Sequence, residues 1–317
     1  MFNKFPKEDL KIILKEGIIL LVLFAVLFCL YLKETPKQTK VETPQNVVIK
    51  TDPFKNLELE AKAVYVYDVK SAKPIFSQNE NEALPLASLA KVMTAIVATE
   101  ELPQNTITTI GKESLEKDGD CRLLLYEHWR LPDLLRFSLI VSSNDGVAAI
   151  AYAANNPGGE IPDSKIPSAF IGKKNNAAKR IGMKNATFYN ESGLDISEFK
   201  NGAYASAKDI ATLFEYALLK HNSLFEGTSQ KRGEMTSLDN INHSAENTNS
   251  IVGKIPGLIA SKTGFTDLAG GNLAVVANIG LKRPLVFVVL GSSKEGRFSD
   301  TKKLTTAALN YYAYLNK

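Results

Sequence analysis

Ser88 with Lys91, Ser142 with Asn144, and Lys262 with Thr263 and Gly264 form three short groups in one order along the chain. A serine hydroxyl is a poor nucleophile until a base takes its proton. Residues three apart share a face of a helix, so a helix through Ser88 sets the Lys91 amine beside its hydroxyl. Burial and a second cation both lower an amine's proton affinity, and Lys262 can be that cation. Ser142 and Asn144 suit a bend between helices, from which one side chain can relay a proton and the other hold a substrate amide. In a strand, Lys262 and Gly264 take one face and Thr263 the other. Glycine there leaves room for a ligand against the strand edge. The chemistry indicated is nucleophilic catalysis by Ser88 with Lys91 as base. Isolated matches mean little, since Ser-x-x-Lys recurs at Ser114, Ser197 and Ser299 and Ser-x-Asn at Ser77. A lone match reads equally as a helix-capping serine with an exposed lysine, or as a solvated loop and an ordinary strand end. The order and surroundings of the three groups carry the weight.

These residues need elements to hold them. Ala61 to Asp68 is a β-branched and aromatic run, and Ala72 to Gln78 follows a short polar turn, which predicts a hairpin. After Pro85, the spacing of Leu89, Val92, Met93, Ile96 and Val97 predicts a deeply buried helix from Ser88 to Glu101. Leu131 to Ala154 reads as two buried helices meeting near Ser142 to Asp145. Tyr204 to Leu219 reads as a helix capped by Ser206, and the polar residues 221 to 250 as loop or peripheral structure. Leu258 to Thr263, Asn272 to Ile279 and Leu285 to Leu290 are strand candidates, followed by a terminal helix from Phe298 to Leu315. Strands at both chain ends with helices between them imply one sheet assembled from both termini. The expected fold class is α/β, an antiparallel sheet plus a helical lobe with a cleft between them.

Composition removes several function classes. The 317 residues, 44% hydrophobic and 23% charged, suffice for a full core. A net charge of +4 comes with no basic run interleaved with aromatics, which argues against nucleic acid as a partner. Cys29 lies in an apolar segment and Cys121 is the only cysteine beyond it, so the main domain closes no internal disulfide. His128, His221 and His243 form no His-Glu-x-x-His motif, no Gly-x-Ser-x-Gly elbow is present, and neither a metal nor a cofactor is implied.

Gly17 to Leu32 is an unbroken apolar run, about 24 Å long as a helix; extended back to Leu10 it reaches about 34 Å, enough for a hydrocarbon core of about 30 Å. No small-x-small cleavage site follows, so an uncleaved anchor is expected rather than a removed signal peptide. Lysines on both sides leave the positive-inside bias small. Residues 33–58, rich in Lys, Thr, Pro, Gln and Glu, read as a tether. The expected organisation is an anchor at 1–32, a linker at 33–58 and a catalytic domain at 59–317.

Four segments extend the three groups: P-L-A-S-L-A-K-V-M-T-A at 85–95, S-S-N-D-G at 142–146, G-M-K-N-A-T-F-Y-N-E-S-G-L-D at 182–195 and S-K-T-G-F-T-D-L-A-G at 261–270. At these residues the sequence resembles the low-molecular-weight penicillin-binding proteins, the serine D-alanyl-D-alanine carboxypeptidase family, over residues 60 to 315. The resemblance implies the β-lactamase/transpeptidase-like fold. It implies that Ser88 is acylated, that Lys91 is its base, that Ser142 and Lys262 handle proton and charge, and that Asn144 binds the peptide. Backbone amides of Ser88 and Phe265 would form the oxyanion hole. Thr263 would meet the substrate carboxylate, assisted by Arg297, with Gly264 beside them. The substrate would be peptidoglycan stem peptides, with β-lactams as covalent inhibitors and the catalytic domain outside the cytoplasmic membrane. Ala90 stands where many relatives carry threonine. The chain stops just after the terminal helix, without the C-terminal β-domain of many family members, which some wall endopeptidases also lack.

Three further readings stay open: an endopeptidase of wall cross-links, a serine β-lactamase, and a non-catalytic wall-binding protein. A β-lactamase needs a carboxylate to activate the deacylating water, and Glu191 is the candidate, unless it is simply exposed. Intact Ser88, Lys91, Ser142, Asn144 and Lys262 argue against the non-catalytic alternative.

Overall fold

Alternating apolar side chains make both faces of the central sheet. The computed structural model describes residues 21–28, 52–119, 121–155, 168–280 and 282–315. In chain order come helix α1 (residues 21–28), strands β1 (Ala63–Asp68), β2 (Lys73–Gln78) and β3 (Leu84–Pro85), a 3-10 turn (Ala87–Leu89), and helix α2 (Ala90–Glu101). Next are β4 (Ile107–Thr109), α3 (Lys112–Leu115), β5 (His128–Arg130), α4 (Leu131–Val141), α5 (Asn144–Asn155), α6 (Ser168–Ile181), β6 (Thr187–Phe188), β7 (Ala203–Ala205) and α7 (Ala207–Lys220). A second 3-10 turn (Asn222–Phe225), β8 (Arg232–Thr236), β9 (Asn242–Glu246), β10 (Leu258–Thr266), β11 (Gly270–Asn278), β12 (Pro284–Ser292) and α8 (Gly296–Leu315) follow.

The expected sheet is present, five antiparallel strands in the order β10-β11-β12-β1-β2. Val64 stands opposite Val289 in the pairing that joins the two ends of the chain. Val64, Val66, Val275 and Phe287 face α8, where Phe298, Leu304, Ala308 and Tyr312 close one core. Ala63, Tyr65, Val276 and Val288 face the other way, into the core with α2 and α7. Residues Ala90 to Ala98 of α2 are all buried, because α4, α5, α6 and α7 surround that helix.

The α4–α5 break falls where expected, whereas the helix expected from Tyr204 starts at Ala207, since Ala203–Ala205 pair as strand β7 with β3 and β6. Ser142 ends α4 in the left-handed region at φ 66°, and α5 starts two residues later. Ser206 caps α7 in a reciprocal box with Asp209, satisfying two otherwise orphaned amides. Three further expectations need correction. Residues 221–250 hold a hairpin, β8 with β9, whose exposed residues are polar and whose inward His243 and Ala245 are buried. The Lys262 group lies inside β10 and does not end it, since pairing with β11 runs on to Thr266. Part of the expected tether is folded: Phe54 is 4% exposed, stacks on Phe76 at 5.1 Å and packs beside Tyr311 of α8.

Of the expected anchor, only residues 21–28 are described, and they are helical. The remainder of the 17–32 run and the linker up to Thr51 lie outside the described residues. Among the described residues no helix is long and apolar enough to cross a membrane.

Candidate active site

Ser88 sits in the 3-10 turn that leads into α2, one residue after Ala87, whose φ of 48° is rare for a residue with a side chain. The next turn of helix brings Lys91 round, and its Nζ lies 2.7 Å from Ser88 Oγ. The same amine donates to the Ser192 carbonyl at 3.1 Å. A neutral amine has two N–H groups and one lone pair, so a hydrogen bond to Ser192 O aims the lone pair at the serine hydroxyl. Lys91 is fully buried, and burial lowers its pKa to about 7, while Glu191, Cys121 and Asp145 pull it up.

Lys262 approaches from the sheet. Its Nζ donates to Ser142 Oγ at 2.8 Å and to the Thr263 carbonyl at 2.9 Å. Burial holds its proton affinity well below the ordinary lysine value, and the Lys91 and Arg297 charges lower it further. The bend at Ser142 and strand β10 therefore meet at a hydroxyl–amine pair that mirrors Ser88 and Lys91.

The edge of the site is β10, the outermost strand of its sheet. A Cβ on Gly264 would come within 2.7 Å of the Leu86 carbonyl oxygen and 3.2 Å of the Ser88 amide nitrogen, so only glycine lets the strand run beside the serine turn. Phe265, the next residue, stays 42% exposed. Thr263 Oγ1 lies 2.6 Å from Thr248 Oγ1. Arg297, at the start of α8, donates from Nη1 to the Gly264 carbonyl at 2.6 Å and is buried, with its Nε unpaired among the described residues. Asn144 opens α5 and donates from Nδ2 to Asp118 O at 2.5 Å; its Oδ1 is buried without a partner among the described residues.

All nine sequence-predicted site residues thus lie on the serine turn, the α4–α5 bend, β10 and the start of α8. Glu191 is buried, at 3% exposure; its carboxylate pairs with Lys117 at 3.8 Å, and its charge acts on Lys91. Two participants escape motif reading: Thr248, a lone threonine in a polar stretch, and Ser192, which acts through its backbone oxygen. Among the described residues no group of three or more His, Cys, Asp or Glu side chains gathers to hold a metal ion. The chemistry open to the site is proton removal from a serine hydroxyl, with a second amine–hydroxyl pair across from it.

A family model described as D-alanyl-D-alanine carboxypeptidase matches residues 47–294. The chain belongs to the D-alanyl-D-alanine carboxypeptidase family. Within that family it is 29% identical over 259 residues to D-alanyl-D-alanine carboxypeptidase DacF of Bacillus subtilis, a match covering 80% of this chain and 63% of DacF. The D-alanyl-D-alanine endopeptidase of Escherichia coli is 27% identical over 256 residues, covering 78% of this chain and 77% of that one. Among solved structures, penicillin-binding protein D2 from Listeria monocytogenes in its ampicillin-bound form is 30% identical. It superposes with a TM-score of 0.67 over 80% of this chain and 98% of that chain. The family's fold is therefore the fold seen here, a mixed α/β structure on an antiparallel sheet. The chain spans just under two thirds of DacF and of the E. coli carboxypeptidase DacA, 63% in each case.

Proposed function

We propose that this member of the family is a serine D-Ala-D-Ala carboxypeptidase acting on peptidoglycan stem peptides. The observation that carries the reading is the Lys91 amine, buried, titrating near neutrality and 2.7 Å from Ser88 Oγ. Lys91 takes the hydroxyl proton as Ser88 Oγ bonds to the carbonyl carbon of the penultimate D-alanine. The Ser88 and Phe265 amides hold the oxyanion. The C–N bond then breaks. The Ser142 hydroxyl, bonded to Lys262, hands a proton to the departing D-alanine nitrogen, and the proton held by Lys91 replaces it. Water attacks the acyl group, Lys91 again serves as base, and Ser88 is freed. Asn144 holds the peptide, while Thr263 and Arg297 attract the terminal carboxylate. Gly264 lets the peptide lie along the β10 edge as an added strand.

A β-lactam that opens onto Ser88 would be held as an acyl-enzyme, which is consistent with the ampicillin-bound form of the Listeria relative. Glu191, paired to Lys117, supports slow release rather than β-lactamase turnover. Cleavage of D-Ala cross-links is the second reading, supported by the endopeptidase relative. We place residues 1–32 in the cytoplasmic membrane as a single-pass anchor, with a tether after them and the catalytic domain outside, where the substrate resides. The 17–32 apolar run supports that placement.

Fluorescent penicillin is expected to label the protein at Ser88, and Ser88→Ala to abolish labelling. Muropeptides incubated with the purified chain should lose a terminal D-alanine; release of monomers from cross-linked dimers would select the endopeptidase. Labelling that persists in the alanine variant would sink the assignment. Sedimentation with membranes and protease digestion in spheroplasts test the topology, and a soluble form beginning near Lys33 would refute the anchor.

A further inference from the structure

A third lysine is buried behind the first. Lys174 of α6 has no exposed surface, although its neighbours in sequence, Lys173 and Asn175, are polar and reach solvent. Its Nζ donates to the carbonyl oxygens of Asn190 at 2.8 Å and Glu191 at 3.2 Å. It also lies 4.6 Å from the centre of the Phe188 ring. Three acceptors, two carbonyls and an aromatic face, thus meet the three N–H groups of one ammonium. The next carbonyl in the row, Ser192 O, is the one that orients Lys91. Thr94, one turn beyond Lys91 on α2, donates to Glu191 O at 2.5 Å. One short stretch of backbone therefore takes hydrogen bonds from both lysines.

We propose that Lys174 is a positioning residue for Lys91, fixing the Asn190–Ser192 carbonyl row against which the Lys91 amine is oriented toward Ser88. The inference rests on Lys91 serving as the base for Ser88. The arrangement has an electrostatic side. Lys91 is faced by Glu191 from the same loop, by Cys121, by Asp145 of α5, by Lys262 of β10 and by Lys174 of α6. Glu191 raises the proton affinity of both Lys91 and Lys174, and the Lys91 charge lowers that of Lys174. Burial lowers Lys174 itself to about 7, so its charge offsets the Glu191 carboxylate beside Lys91 on the acid side of that pH.

The test is the rate of acylation by fluorescent penicillin against pH, on the full chain, for wild type, Lys174→Met, Lys174→Arg and Glu191→Gln. Methionine keeps most of the side-chain volume and removes the cation. Lys174→Met should lower the maximal rate on the order of 10²-fold through misplacement of Lys91. It should also move the acid limb of the profile upward by about one pH unit. Glu191→Gln should move the limb the other way, and Lys174→Arg should retain the wild-type limb. A limb that stays at the wild-type pH in both Lys174→Met and Glu191→Gln overturns the proposal, even if the rates fall. Should Lys174→Met not fold, the limb of Glu191→Gln decides alone, and an unshifted one overturns the proposal. A wild type that never acylates would instead refute the reading of Ser88 and Lys91 on which this inference stands.

Discussion

At the scale of single residues, the decisive quantity is the charge on Lys91. Desolvation disfavours the ammonium form, and the amine loses its proton near pH 7 although three partners pull the other way. On the reading proposed above the neutral form is the base, so acylation is expected to rise with pH through about 7 and to level off above it, until another group titrates. Lys91→Arg should lose about 10² to 10⁴ in acylation rate at every pH, since guanidinium stays protonated. Stopped-flow labelling with penicillin measures both, and a profile that is flat from pH 5 to about 9 in the wild type would contradict the assignment. The residues to which the proposal gives this chemistry were legible from type and spacing: Ser88 pairs with Lys91, and Ser142 with Lys262. The Ser192 carbonyl and Lys174 were not. A backbone acceptor has no residue-type signal, and Lys174 sits in a run of polar residues that reads as surface until the fold turns it inward. Glu191 misled in the same way, being a carboxylate in a polar loop that the fold buries beside Lys117, Lys91 and Lys174.

At the scale of elements, the site depends on three pieces pressed together without slack. The serine turn, the 189–195 loop and β10 meet with almost no space between backbones. Gly193 has φ +84°, and a Cβ there would lie 1.9 Å from the Ala87 carbonyl oxygen. Gly193→Ala should therefore destabilise the fold by about 2 to 4 kcal/mol through overlap and a disfavoured backbone. It should also displace Ser88 enough to abolish penicillin labelling. Gly172, inside α6 with nothing near its missing side chain, is the contrast. Gly172→Ala should stabilise by about 0.5 to 1 kcal/mol, as expected for alanine in a helix. Urea denaturation of the two variants separates a steric role from a general intolerance of substitution, and equal effects would contradict the packing argument. Elements with strong apolar periodicity, β1, α2, α4, α5 and the last three strands, were readable because burial is written in their spacing. The β8–β9 hairpin was not, since its outward residues are polar and few side chains, His243, Ala245 and the half-buried Met235, turn in.

At the scale of the whole molecule, three buried lysines make stability depend on pH. In the unfolded chain a lysine keeps its proton up to about 10.5, while folded Lys91 and Lys174 release theirs near 7, with Lys262 lowered as well. Between these values the unfolded state binds more protons, so the free energy of unfolding grows as pH rises, and below about 7 the full desolvation cost is present. Tm is therefore expected to climb between about pH 7 and 9, below the range in which the half-buried Tyr67 and the buried Tyr312, with pKa pushed up to about 12, begin to act in the opposite sense. Thermal melts at constant ionic strength should show this climb, with a smaller slope in Lys174→Met. A wild-type Tm that falls over that interval would contradict it.

The pairing of β1 with β12 has a consequence in time. Asp68 and Arg283, joined across these ends of the fold, are 215 residues apart in the chain, and Lys262 is 120 residues beyond the Ser142 it holds. A growing chain releases its nucleophile early and the cation that completes the site late, so a nascent or truncated molecule carries Ser88 and Lys91 without β10 beside them. Such long-range closure is slow to nucleate. The arrangement proposed for catalysis is therefore complete only once β10 and β12 have joined the fold, after most of the chain has been made.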